Sequence, residues 1–113
     1  MTTNDLATMG ATLAAGGINP LTRDTVIARD CVSHIPAQMT MEALYNASGD
    51  WAYTVGLPSK SGVGGGLLAI APGRLAIAGF SPPLDSVGNS VRAQAAVARV
   101  ANTLGLNLYA GPP

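Results

Sequence analysis

Apolar residues return every three or four positions near the start of the chain, at Leu6, Met9 and Leu13. That spacing predicts a helix, starting at Asn4 or Asp5 and ended by Gly16-Gly17. INPLT then reads as a turn. A second helical pattern begins near Ala28 and continues to Ala43, with Val32, Ile35 and Met39 on one face. Pro36 falls inside it, and proline lacks the N–H a helix interior needs, so a kink or two short helices are expected. NASGD breaks the pattern. WAYTV, residues 51–55, alternates large and small side chains and predicts a strand. LLAIA predicts a buried strand, Pro72-Gly73 a turn, and RLAIAGF a returning strand, so these two should form an antiparallel hairpin. The prolines of SPPLDSVGN exclude a helix or a central strand there. Asn89 or Ser90 is placed to cap a last helix, with Val97, Val100, Ala101 and Leu104 as its apolar stripe and Gly105 at its end.

The predicted order is helix, helix, three strands, helix. Short connections make this an α+β fold: an antiparallel β-meander of about three strands flanked by helices. Residues 1–113 suit a single domain. A sheet of three strands leaves at least one bare edge, so further strands are expected from outside this chain.

Composition sharpens that expectation. Charged residues make up 11% of the chain, against roughly 25% in a typical soluble protein. Hydrophobic residues make up 48%. So little polar surface predicts a face covered by a partner, by a missing part of the same protein or by a second copy. Six basic and six acidic residues cancel, and without a basic patch nucleic acid is not an expected partner. The longest unbroken apolar run, residues 67–71, is far short of the ~20 residues of a membrane helix. The polar start, residues 1–5, does not read as a signal peptide. Cys31 is the only cysteine, which excludes an internal disulfide and suits the cytoplasm. With one histidine, His34, and one cysteine, a metal site is not expected. His34 reads as a surface or packing residue.

The stretch GLPSKSGVGGG, residues 56–66, carries five glycines, and such a loop usually has a backbone reason. A phosphate loop requires a glycine directly before the lysine and a helix after it. Ser59 precedes Lys60, and a strand follows. The dinucleotide fingerprint fails at Leu67, where its third glycine belongs. Lys60-Ser61-Gly62 instead fits K-[ST]-G, found on a strand beside the acyl-transfer site of penicillin-recognising enzymes. There the lysine supplies positive charge, the hydroxyl contacts substrate and the glycine admits it to the strand edge.

The wider context is more specific. YNASGDWAYTVGLPSKSGVGGG, from Tyr45 to Gly66, resembles the serine-dependent glutaminases, whose catalytic domain has a β-lactamase-like fold. LAAGGINPLT upstream and FSPPLDSVGNSVR downstream agree with the same family in order and spacing, so the resemblance covers roughly residues 5–108. Ala43-Leu44 stands where Gly-Met is usual, and Ser59 where alanine is commoner.

The resemblance implies hydrolysis of L-glutamine to L-glutamate and ammonia. A serine attacks the side-chain amide, ammonia leaves, and water releases glutamate from the acyl-enzyme. Tyr45 matches the family's catalytic and substrate-contacting tyrosine, which stands beside that serine. Val63 matches the valine whose backbone N–H faces the scissile carbonyl. Lys60, Ser61 and Gly62 are further candidates for substrate binding. No cofactor is implied. The family's nucleophile lies in an S-x-x-K motif, and none of the serines here is followed by lysine at that spacing. The chain therefore reads as the C-terminal part of a glutaminase catalytic domain. It is expected to self-associate or to join a complementing N-terminal segment. A non-catalytic remnant or interaction module is the alternative. An acyl-transfer enzyme with another substrate fits the VGLPSKSGVGGG stretch less well.

Overall fold

The computed structural model describes residues 1–110. Helix α1 (Thr3–Ala14) begins one residue earlier than the apolar spacing suggests, because Thr2 caps it. The Thr2 hydroxyl accepts the Asp5 N–H while the Asp5 carboxylate accepts the Thr2 N–H, a reciprocal pair that satisfies two otherwise orphaned donors. Left-handed Gly16 and Gly17 turn the chain after the helix. Leu6 and Leu13 pack inward, but Met9 faces solvent and Gly10 takes the buried position. In INPLT, the Asn19 side chain accepts the N–H groups of Leu21 and Thr22.

Two short helices follow, α2 (Arg29–Val32) and α3 (His34–Glu42). Pro36 sits in the first turn of α3, where its missing N–H costs nothing. Val32 and Met39 are buried; Ile35 and His34 are exposed.

The strand expected at residues 51–55 is a helix. A 3₁₀ turn (Tyr45–Ala47) leads into α4 (Ser48–Thr54), so NASGD starts helical structure rather than ending it. Trp51 and Val55 lie four residues apart on the buried side, while Tyr53 is 86% exposed. A strand would have placed all three on one face. The indole N–H of Trp51 donates to the Ser59 hydroxyl at 2.9 Å, inside the core.

The sheet is antiparallel, in the order β1 (Ser59–Ser61), β2 (Gly66–Ala71), β3 (Leu75–Phe80). Three strands are present as expected, but the first is the short SKS segment. β2 and β3 form the predicted hairpin, with Ala71 opposite Leu75 and Gly66 opposite Phe80. β2 is the centre of the molecule. Its Leu67, Ala69 and Ala71 face a core shared with α4 and α5 (Val91–Thr103), and its Leu68 and Ile70 face a second core under α1. Alternation along one strand thus serves two helical layers. The outer edge of β3 pairs with no strand among the described residues.

The Ser90 hydroxyl caps α5 by accepting the Ala93 N–H. Ala93, Val97 and Ala101 are its buried stripe; Val100 and Leu104, expected inside, are partly exposed. Left-handed Gly105 follows the helix.

Candidate active site

Tyr45 opens the 3₁₀ turn with φ at +56°, in the left-handed region that favours glycine. Strain of that kind costs about 1–3 kcal/mol and persists only where the surroundings over-determine it. The surroundings do so here. The Ser48 hydroxyl donates to the Tyr45 carbonyl at 2.7 Å and accepts the Leu44 N–H at 3.1 Å. The Leu44 carbonyl accepts the Asn89 side-chain amide at 3.0 Å. The Ala43 carbonyl accepts the Ser61 N–H at 3.1 Å, fastening the segment to the outer side of β1.

The Tyr45 ring is 44% exposed. The Lys60 ammonium stands 4.3 Å from its centroid, within cation–π range. The same ammonium donates to the Ser61 carbonyl at 2.7 Å and lies 3.4 Å from the Ala43 carbonyl. Lys60 is therefore folded under Tyr45 rather than extended into water. Ser61 is buried, and its hydroxyl donates to the Asn89 side-chain carbonyl.

Past Ser61 the chain enters the β1–β2 loop, residues 62–65. Val63 is 70% exposed at its tip. The glycines around it divide into two kinds. A Cβ on Gly62 or Gly64 would meet nothing within 4 Å. Gly65 has φ of +99°, and a Cβ there would come within 2.6 Å of the Ser81 carbonyl oxygen. Gly65 is thus required by the fold, whereas Gly62 and Gly64 leave open space beside Val63.

The segment between β3 and α5 closes the site from behind. Asp85 accepts the backbone N–H groups of Val87, Gly88 and Asn89 on one oxygen and the Gln94 side chain on the other. The Asn89 N–H, then the Gln94 amide, hold its carboxyl below the ordinary value of 3.8. This knot turns the Asn89 side chain inward. Gly88 stands beside Val63: a Cβ on it would lie 3.8 Å from Val63 Cγ1.

Tyr45, Lys60 and Ser61 therefore form one cluster, with Gly62 and Val63 continuing from it along the chain. Sequence reasoning missed Asn89 as a member and gave it only a capping role. Its signal was the polar GNS run closing a proline-rich loop. Grooves of about 500 and 490 Å³ lie elsewhere, one beside Arg29 and Arg74, the other beside Tyr53 and Tyr109. Among the described residues no three His, Cys, Asp or Glu side chains converge as metal ligands, and no helix is long and apolar enough to cross a membrane.

An antiparallel sheet between helical layers, with the K-S-G motif at the end of its first strand, agrees with the β-lactamase-like class that the motifs imply. Residues 1–109 match the family described as Glutaminase, and the chain belongs to that family. A glutaminase of Mycobacterium ulcerans (strain Agy99) is 70% identical over 112 residues, spanning 99% of this chain and 35% of the relative. A solved structure of a probable glutaminase, ybaS, superposes with a TM-score of 0.92 at 64% identity, covering 95% of this chain and 35% of that one. The Bacillus subtilis glutaminase YbgJ, solved as a covalent complex with 5-oxo-L-norleucine, gives a TM-score of 0.89 at 33% identity, covering 96% and 40%. The chain spans about a third of the length of the curated relatives it matches.

Proposed function

We propose that this chain is the C-terminal part of a glutaminase catalytic domain, hydrolysing L-glutamine to L-glutamate and ammonia once an S-x-x-K segment completes the site. The observation that carries the reading is the exposed, strained Tyr45 held against Lys60 of the K-S-G strand. The serine of the completing segment attacks the side-chain amide carbon, and its proton goes to the departing ammonia. Tyr45, whose ring faces solvent beside β1, acts in that proton transfer and contacts the substrate. The Val63 N–H donates a hydrogen bond to the amide oxygen as negative charge develops on it. Gly62 and Gly64 keep the approach to it clear. Lys60 and Ser61 shape the floor rather than reach out, since both are bonded within the chain. Water then cleaves the acyl-enzyme. The covalent adduct carried by the Bacillus relative supports a route through a covalent intermediate.

The unpaired Cys31 suits a cytoplasmic setting. Self-association, or pairing with the completing segment, is supported by the free edge of β3 and by exposed Met9, Val26 and Phe80. The alternative reading is a non-catalytic remnant or interaction module that keeps the family's shape.

Glutamate release from L-glutamine decides between them. The chain is assayed alone and mixed with the N-terminal part of a related glutaminase carrying S-x-x-K. Activity in the mixture alone, abolished by Tyr45→Phe, is the expected result. Silence in both from folded protein selects the module.

A further inference from the structure

Asn89 is fully buried, yet both ends of its side chain are bonded to distant parts of the chain, 45 and 28 residues away. Its amide donates to the Leu44 carbonyl, and its carbonyl accepts the Ser61 hydroxyl. These two partners are not arbitrary. The Leu44 carbonyl belongs to the peptide that enters Tyr45, and rotation of that peptide is what sets φ of Tyr45. Ser61 follows Lys60, whose ammonium sits on the Tyr45 ring. A single amide thus closes a circuit running Leu44, Tyr45, Lys60, Ser61 and back. Asp85 fixes the position of Asn89 by accepting its backbone N–H at 3.1 Å.

We propose that Asn89 is a positioning residue for Tyr45, pinning the Leu44–Tyr45 peptide so that the ring stays over Lys60 at its left-handed backbone. The effect on rate rests on the glutaminase reading; the effect on geometry does not. Ser48 holds the far side of the same turn, but it belongs to the next helix turn itself. Among the bonds to Leu44 and Tyr45 described above, only that from Asn89 reaches them from outside residues 43–48.

The test reads geometry and rate separately. In the chain itself, the Lys60 side-chain protons should resonate upfield of free lysine because they lie over an aromatic ring, and Tyr45→Leu should remove that shift. Asn89→Ala should lose it too, in protein that still unfolds cooperatively. Ser61→Ala, which leaves the bond to Leu44, should keep it. A retained shift in folded Asn89→Ala overturns the proposal. Should that variant not fold, the unsubstituted chain decides. Slow exchange of the Asn89 side-chain amide protons, with scalar coupling to the Leu44 carbonyl carbon, supports the proposal; fast exchange without coupling overturns it. In the completed enzyme, Asn89→Ala should lower kcat by about tenfold or more, as misplacement of a reacting group does, with KM changed by less than about twofold. An unchanged kcat together with an intact Lys60 shift refutes the positioning. Silence of the unsubstituted mixture refutes the glutaminase reading alone, and the Lys60 resonance still judges Asn89.

Discussion

A methyl group added at Gly62 and at Gly65 should have opposite consequences, although both glycines belong to one loop. At Gly65 the backbone is left-handed and a Cβ collides with the Ser81 carbonyl, so Gly65→Ala should cost about 2 kcal/mol or more in urea unfolding. At Gly62 the added methyl meets nothing, and stability should stay within about 0.5 kcal/mol. Gly62→Ala should instead lower glutamate release in the completed enzyme, because it crowds the approach to Val63. A stable, fully active Gly62→Ala protein would remove the functional account of that glycine. The motif made Gly62, Val63 and Tyr45 visible in the sequence as candidates. It could not reveal that Ser61 faces Asn89, because hydrogen bonds between residues 28 positions apart have no local signature. Nor could it reveal the left-handed backbone of Tyr45, which no neighbouring glycine announces.

The elements read most clearly where apolar spacing was long and bounded. The β2–β3 hairpin, with its Pro72-Gly73 turn, and α5, with its serine cap and terminal glycine, follow directly from the chain. Residues 51–55 misled because WAYTV satisfies two periods at once. Alternation groups Trp51 with Tyr53 and Val55, while helical spacing groups Trp51 with Val55 alone. The core settles the matter by burying the second set. β1 is only three residues long, too short to show a period, and its place depends on the Ala43 carbonyl outside the sheet. The Trp51–Ser59 hydrogen bond ties α4 to that strand. Ser59→Ala should leave the indole N–H unpaired in the core and destabilise by about 1–3 kcal/mol, read from the urea midpoint. An unshifted midpoint would mean that the bond adds nothing.

The loop before α5 makes its own prediction. Asp85 titrates below its ordinary value because the ionised carboxylate accepts the Asn89 N–H and the Gln94 amide. The unfolded chain therefore binds the proton first as pH falls, and the stabilisation by Asp85 is lost as pH drops below 3.8 through the folded value. Asp85→Asn should be less stable than the unsubstituted protein at neutral pH. The difference should shrink below that point, as both side chains become uncharged. A difference independent of pH would show that the carboxylate charge is irrelevant to the loop.

Across the whole molecule, the low charge and the free edge of β3 have a common consequence. Sedimentation at rising concentration should show association, relieved by a lysine introduced at the exposed end of β3, as in Phe80→Lys. A single sharp monomer at all concentrations would show that the exposed apolar side chains are tolerated in water. The bare edge was legible in the sequence, since three strands cannot close a sheet. The division of the interior into two cores was not, because both draw on the same five residues of β2.

That division has a consequence in time. The hairpin of β2 and β3 joins neighbours in the chain, so it can form early. The core under α1 joins residues near the start of the chain to a strand beginning at Gly66, and closing so long a loop costs entropy before any contact rewards it. Helix α1 should therefore dock late, after the transition state. Substitutions in it should then speed unfolding while leaving the folding rate nearly untouched.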